Sequence, residues 1–268
     1  MQFTLTPVVK ALLLINVGVF ILGMLMGSNL LVVWLGLFYP ASPYFYPYQV
    51  VTYMFTHAQG GHLLSNMFGL FMFGPMLERF WGGRRFLIFY LITGVGASLL
   101  YTGIDAYQIH HLEQATQAYV QNPTPTKLVG YLKEFSPQNR IPLEDFSNKF
   151  EDNAMDADYL EKSKMYVQGI SNDIYRGFMS TPMIGASGAI FGIIMAFGLL
   201  FPNTELLLLF FPFPIKAKYF VALYGLYEFF AGIQRAPGDN VAHIAHIGGM
   251  LFGFILVRYW GSQRDKFY

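Results

Sequence analysis

Residues 185–192 read GASGAIFG and residues 245–253 read AHIGGMLFG, and these two stretches of small residues decide how the chain folds. Each stretch contains two glycines that are four residues apart. Glycines at this spacing lie on one face of a helix and let two helix backbones approach closely within a membrane. A polar residue stands beside each glycine pair, Ser187 in the first stretch and His246 in the second. The sequence therefore predicts two membrane helices in close contact, with a serine and a histidine at that contact.

The composition of the whole chain is that of a membrane protein. Of its 268 residues, 54% are hydrophobic and only 12% are charged, about half the charged fraction of an ordinary soluble domain. The net charge of +1 gives no basic surface for nucleic acid. Because the chain has no cysteine, a disulfide scaffold, a thiol nucleophile and a thiolate metal site are excluded. We therefore expect an all-α polytopic membrane protein that binds the lipid bilayer and no nucleic acid.

Six stretches are apolar and long enough to be membrane helices, since a helix needs about 20 largely apolar residues to cross a bilayer. They cover approximately residues 8–26, 62–77, 86–103, 184–201, 217–230 and 241–259. The fifth stretch contains one acid, Glu228, whose role the sequence leaves open. The prediction is a bundle of six transmembrane helices.

Basic residues are concentrated on one side of this predicted bundle. Nine of the 17 Lys and Arg residues flank span ends on that side, whereas the short loops of the other side hold only Arg235. Positive charge marks the cytoplasmic side of a membrane protein, so both termini are expected there. Residues 27–61, 105–183 and 231–240 then face outward. We expect an integral multi-pass protein of the bacterial inner membrane, anchored by an uncleaved first span.

Residues 105–180 differ in composition from the rest of the chain. They hold 11 of the 16 acidic residues and seven basic ones, and their apolar positions have helical spacing over 107–120 and 160–174. We interpret them as an extramembrane helical segment, inserted between spans 3 and 4 of a single membrane domain that covers residues 1–268. A solvated spacer with no specific role is an equally good interpretation of this segment.

Four polar residues from three spans are predicted to reach one layer near the outer face. His62 stands at the outer end of the second span, and Asn66 is one helical turn deeper. Ser187 lies five residues after Pro182, where the fourth span enters, and His246 lies five residues after Val241, where the sixth enters. Each is about 8 Å below the outer end at the helical rise of 1.5 Å per residue. Polar side chains within a membrane span are functional candidates, so we take this layer as the candidate site.

These residue types suit acyl transfer. A serine hydroxyl becomes nucleophilic when a neighbouring base takes its proton, and His246 can be the base for Ser187. No acid is predicted near His246, so the pair would act as a dyad. The Asn66 amide and the His62 ring can donate hydrogen bonds to a developing oxyanion. A zinc site formed by the three histidines His62, His243 and His246 is the less favoured alternative.

In these motifs the chain resembles the rhomboid family of intramembrane serine proteases. The resemblance rests on the His62-x-x-x-Asn66 segment, on residues 185–188 and on residues 245–249. It implies that Ser187 is the nucleophile, that His246 is the base, and that His62 and Asn66 stabilise the oxyanion.

The resemblance also implies the supporting residues and the reaction. The supporting positions are those next to the two motifs, namely Gly185, Gly188, Phe191 and Gly249. Phe191 occupies the position where many relatives have a tyrosine that stacks on the catalytic histidine, and we expect the phenylalanine ring to pack in the same way. The family cleaves transmembrane proteins in or near the bilayer and needs no cofactor.

Two other functions remain to be weighed. A catalytically inactive relative would bind membrane proteins without cleaving them, but such proteins usually lack the serine or the histidine, and both are present here. A small transporter would be expected to show inverted repeats, and the sequence has no internal repeat. We therefore predict an intramembrane serine endopeptidase.

Overall fold

A computed structural model describes residues 4–136, 140–154, 156–207, 213–234 and 242–264 of the chain. These residues form two compact units. The first comprises Met1–Thr102 and Pro182–Tyr268, and the second comprises Gly103–Thr181.

Helices account for almost all regular structure. In chain order they are α1 (Pro7–Met26), α2 (Ser28–Leu35), α3 (Gln49–Thr52), a 3₁₀ turn (Tyr53–Phe55), α4 (Gly60–Trp81), α5 (Gly83–Gln121), α6 (Pro125–Phe135), α7 (Arg140–Asp152), α8 (Ala157–Ser180), α9 (Ser187–Leu200), α10 (Ala217–Gln234) and α11 (His243–Arg264). Two short strands, β1 (Glu205–Leu206) and β2 (Ile215–Lys216), pair antiparallel with Glu205 opposite Lys216. The predicted all-α fold is confirmed.

Each of the six predicted spans corresponds to a helix: α1, α4, α5, α9, α10 and α11. Among the described residues, three helices are long and apolar enough to cross a membrane on length and composition, namely α1, α5 and residues His243–Gly261 of α11. Arg235 and Val241, which entered the predictions for the outer loop and the sixth span, lie outside the described residues.

Two of these helices differ in length from the prediction. The third span was predicted to end at residue 103, but α5 continues to Gln121 and has 39 residues. The apolar helix α9 has only 14 residues, which gives a length of about 21 Å at the helical rise. This is less than the roughly 30 Å of a bilayer's hydrocarbon core. Helix α9 is therefore too short to cross a membrane by itself.

The helices α9 and α11 pack backbone against backbone, as the glycine spacing predicted. A Cβ atom at Gly249 would overlap the backbone oxygen of Gly188, and one at Gly253 would lie 2.8 Å from the backbone oxygen of Gly192. The two contacts are one helical turn apart on both helices, so α9 and α11 run in the same direction. Ala97 of α5 lies against the same point, because a Cβ at Gly188 would be 2.6 Å from the Ala97 methyl carbon.

The N-terminus of α1 is fixed by an acid of another helix. Glu78 of α4 is buried, and its Oε2 atom accepts hydrogen bonds from the Thr6 hydroxyl at 2.5 Å and the Val9 amide at 2.8 Å. Its Oε1 atom accepts a hydrogen bond from the Val8 amide at 2.9 Å. The first amides of a helix have no partners within the helix, and their positive dipole end favours an anion. Glu78 therefore joins α4 to α1.

Gln49 organises the uncharged segment between α2 and α4. Its buried amide nitrogen donates to the backbone oxygen of Tyr44 at 2.9 Å, and lies 3.3 Å from those of Val33 and Trp34. Its amide oxygen accepts a hydrogen bond from the backbone of Tyr46 at 3.0 Å. One side chain thus satisfies backbone groups of α2 and of the segment itself, which ties the segment to α2 without any charge.

The second unit has an apolar core of its own. Its buried side chains are Leu112, Tyr119, Leu128, Tyr131, Leu132, Phe150 and Val167. Thr124 precedes α6, and its hydroxyl accepts a hydrogen bond from the Lys127 amide. Asp156 precedes α8, and its carboxylate accepts hydrogen bonds from the amides of Asp158 and Tyr159. The regions 107–120 and 160–174, in which helical spacing was predicted, lie in α5 and α8 respectively.

Candidate active site

Ser187 is the first residue of α9 and is half-buried. The chain turns into the helix at Gly185, whose φ of 110° favours glycine. The Gly185 amide donates a hydrogen bond to the backbone oxygen of Tyr53 at 3.0 Å. This bond and the glycine turn fix where α9 begins, and with it the position of the serine.

His246 lies in the first turn of α11 and is buried. The Phe191 ring stacks on its imidazole, with 4.1 Å between ring centroids and 11° between the planes. The stacking expected of Phe191 is therefore present. Because residues four apart share a helix face, Ser187 lies one turn from Phe191 on the side of α9 that faces His246. Ser187 and His246 thus stand on the two helices that are joined at the glycine contact.

His62 and Asn66 bring α4 to the same place. A Cβ at Gly185 would lie 2.6 Å from Nε2 of His62 and 3.5 Å from the Asn66 amide nitrogen. The two side chains predicted to stabilise an oxyanion therefore border the backbone that leads into Ser187.

His57, which precedes α4, is within hydrogen-bond distance of the Asn66 side chain. Its Nε2 atom lies 3.0 Å from the Asn66 amide nitrogen and 3.5 Å from the backbone nitrogen of Ala186. Burial, with a smaller contribution from the nearby His62, lowers the pKa of His57 to about 4. A neutral His57 can accept the hydrogen bond from Asn66, which leaves the second N–H of the amide for another acceptor.

The expectation that no acid lies near His246 is wrong. Glu228 of α10 is buried, and its Oε2 atom lies 2.8 Å from Nδ1 of His246. The same oxygen lies 2.6 Å from Nδ1 of His243. The sequence signal for this contact was the presence of an ionisable residue inside a span, where such residues are rare. Its partners depend on how α10 is rotated against α11, which the sequence does not state.

The candidate metal ligands also differ from the expectation. The donor atoms that lie within 4.8 Å of one another belong to Glu228, His243 and His246. His62, the third histidine of the zinc alternative, is not a member of this group. The cluster therefore has one carboxylate and two imidazoles rather than three imidazoles.

Comparison with known proteins finds similarity to rhomboid proteins. A family model described as a rhomboid domain matches residues 45–112 and 163–263. An uncharacterized mitochondrial rhomboid protein of Schizosaccharomyces pombe is 28% identical over 208 residues, which are 77% of this chain and 48% of that protein. RHOMBOID-like protein 12, mitochondrial, of Arabidopsis thaliana is 33% identical over 81 residues, 30% of this chain and 24% of that protein.

A further relative is Rhomboid protein 1, mitochondrial, of Saccharomyces cerevisiae. It is 35% identical over 85 residues, which are 32% of this chain and 24% of that protein. The chain thus spans less than half the length of these curated relatives. The family match leaves out residues 113–162, which all belong to the second compact unit.

Proposed function

This chain belongs to the rhomboid family, and on that premise we propose that it is an intramembrane serine endopeptidase that cleaves transmembrane proteins in the outer part of the bilayer. The observation that carries the proposal is the arrangement at the α9–α11 contact. Ser187 begins one helix, His246 lies on the other, and Phe191 stacks on the imidazole one turn from the serine.

The proposed reaction has two steps. In the first, Nε2 of His246 takes the proton of the Ser187 hydroxyl as its oxygen attacks the scissile carbonyl. The tetrahedral intermediate collapses when the same imidazolium protonates the leaving amine, which breaks the peptide bond and leaves an acyl-enzyme. In the second step a water molecule, deprotonated by His246, attacks the ester and releases the new carboxylate and the serine.

Two side chains of α4 suit the oxyanion of both intermediates. Asn66 has one N–H beyond the one that faces His57, and His62 borders the turn before Ser187. Preorganised donors of this kind each contribute about 10²–10³ in kcat in serine proteases. We propose that His62 and Asn66 have this role and that the reaction needs no cofactor.

The place of the reaction follows from the length of α9. A helix of about 21 Å cannot span the hydrocarbon core, so Ser187 at its first residue lies below the membrane surface if the other end of α9 reaches the opposite surface. We propose that both termini and the basic span ends lie on one side of the membrane and the site near the other. The mitochondrial names of the relatives give no support to the bacterial inner membrane expected from the sequence.

We also propose that residues 105–180 lie outside the membrane, between spans 3 and 4. Their 18 charged residues would each be costly in hydrocarbon. The second unit has its own buried core, so these residues need no lipid to cover their apolar side chains.

The proposal is tested by cleavage of a single-span membrane substrate by the purified protein in detergent. Wild type is compared with Ser187→Ala and His246→Ala, and both variants are expected to lose cleavage. A serine-reactive fluorophosphonate should label wild type and not Ser187→Ala. A wild type that neither cleaves nor takes up the label would refute the proposal and would favour an inactive relative that binds membrane proteins.

A further inference from the structure

We propose that Glu228 is a positioning residue for His246, so that the site is a serine–histidine–glutamate triad rather than a dyad. This inference rests on the proposed function and adds a third residue to it. The carboxylate acts through the imidazole and touches neither the serine nor the substrate.

The hydrogen bond between Glu228 and His246 selects the tautomer that the reaction needs. The carboxylate is an acceptor, so Nδ1 of His246, 2.8 Å away, must carry the proton. In the neutral ring the other nitrogen, Nε2, then has a free lone pair. Within the described residues no hydrogen bond engages Nε2, so this atom is available to take the proton of Ser187.

The two contacts of the His246 ring restrain it in different directions. Phe191 covers one face at 4.1 Å and fixes the plane of the imidazole. Glu228 holds Nδ1 and fixes the rotation of the ring within that plane. Together they determine where Nε2 points, which neither contact does alone.

His243 has a different relation to the same carboxylate. Its Nδ1 atom lies 2.6 Å from the oxygen that bonds His246, and it stands one turn before His246 on α11. A carboxylate oxygen can accept more than one hydrogen bond. The second bond holds Glu228 against α11, so His243 supports the carboxylate rather than the serine.

The negative charge of Glu228 should also matter in the transition state. When His246 accepts the serine proton it becomes a cation inside a buried site, and the carboxylate at 2.8 Å stabilises that cation. A neutral amide of the same shape would keep the packing and lose this stabilisation. Because both Nδ1 atoms bond the same oxygen, a glutamine can place its amide oxygen there and keep both hydrogen bonds, so the charge is what the substitution removes.

The test is the substitution Glu228→Gln, measured with the transmembrane substrate in the full chain. In serine proteases the corresponding change of the triad acid to its amide lowers kcat by about 10⁴, and we expect a loss of about 10²-fold or more in kcat. Because Glu228 does not touch the substrate, KM should stay within about threefold. The rate of fluorophosphonate labelling at Ser187 should fall with kcat, and Glu228→Asp, which keeps the charge, should retain more activity than Glu228→Gln.

Glu78→Gln is the matched control. Glu78 is also a buried, hydrogen-bonded glutamate, but its partners lie at the start of α1. The control should have lower thermal stability and unchanged kcat for the folded protein.

A measurement on the unmutated protein avoids any failure of a variant to fold. In protein labelled with ¹⁵N at histidine, the resonances of His246 are assigned by their loss in His246→Ala. They should show a proton on Nδ1. A neutral ring with its proton on Nε2 would overturn the proposal, whatever the variants do.

Other outcomes also decide the matter. If wild type cleaves in a Ser187-dependent manner and Glu228→Gln cleaves within about threefold of it, the triad is refuted and the proposed protease stands. If wild type shows no Ser187-dependent cleavage or labelling, the protease and the triad fail together. The side chains of Glu228, His243 and His246 are of the kinds that bind zinc. If each chain contained one tightly bound zinc ion and lost activity on chelation, the triad would be overturned in favour of a metal site.

Discussion

The substitution Gly188→Ala tests the geometry of the site through a single added methyl group. Its Cβ would lie 2.6 Å from the methyl carbon of Ala97, whereas two carbons in contact are about 3.5–4.0 Å apart. The start of α9 must therefore move by about 1 Å away from α5. The other neighbours of this methyl, the Tyr53 hydroxyl and the backbone oxygen of Ala245, would be at ordinary contact distances of 3.5 and 3.6 Å.

The displacement has two measurable effects. Overpacking of this kind costs about 1–3 kcal/mol of stability, which a thermal unfolding experiment in detergent can detect. Ser187 is the neighbour of Gly188, and a misplacement of about 1 Å in an active site can lower the rate about 10²-fold. We expect kcat for the transmembrane substrate to fall by that factor. The control is Gly261→Ala, on α11, where an added Cβ would meet nothing within 4 Å, and whose activity should equal that of wild type.

A compensating substitution makes the reasoning refutable. Ala97→Gly removes the methyl with which the new Cβ collides, so the double variant Gly188→Ala/Ala97→Gly should recover most of the lost kcat. Ala97→Gly alone should lose only stability, about 1 kcal/mol from the helix preference of alanine over glycine. If Gly188→Ala cleaves at the wild-type rate, or if the folded double variant recovers nothing, then the α9–α5 contact does not position the serine.

Three further substitutions test the site and its support. Gly185→Ala should abolish cleavage because its Cβ would lie 2.6 Å from Nε2 of His62. Gly27→Ala is the control, since Gly27 has a similar positive φ of 95° and nothing within 4 Å, and it should lose only stability. Equal cleavage activity of the two variants would contradict this prediction. Glu78→Ala should lower the free energy of unfolding by about 1–3 kcal/mol, because it leaves buried donors of α1 without an acceptor; an unchanged unfolding temperature would show that water replaces the carboxylate. Phe191→Ala should lower kcat by about tenfold or more because the imidazole of His246 loses its stacking partner. Phe191→Tyr keeps the ring, so its kcat should stay near that of wild type. A fully active alanine variant would refute the role of the stacking.

The sequence predicted the helix contact because its determinants are local. Glycine spacing in residues 185–192 and 245–253 identifies the contacting faces without knowledge of any other element. The sequence did not predict the full length of α5, because the end of that helix has no local signal. The apolar stretch ends near Gly103, but residues 104–121 contain no proline or glycine that would end a helix, so the helix outlasts the hydropathy signal.

The contacts of Glu228 and Gln49 could not be predicted because they depend on tertiary packing. The rotation of α10 is set in part by ring contacts, with Tyr224 4.9 Å from Phe191. That rotation brings Glu228 to the histidines of α11. Gln49 stands in a segment with no charge and no repeat, and its importance is visible only when both ends of its amide are seen to bond the backbone.

Because Glu228 stands on α10, the orientation of the His246 ring depends on the position of that helix. The bond from Glu228 to His246 spans two helices at 2.8 Å, so a displacement of α10 by about 0.7 Å away from α11 takes the pair to the 3.5 Å limit of a hydrogen bond. An outward movement of α10 by more than this distance therefore also releases the imidazole of His246. The proposed triad thus acts as an interlock: Ser187 has an ordered base only while α10 lies against α11.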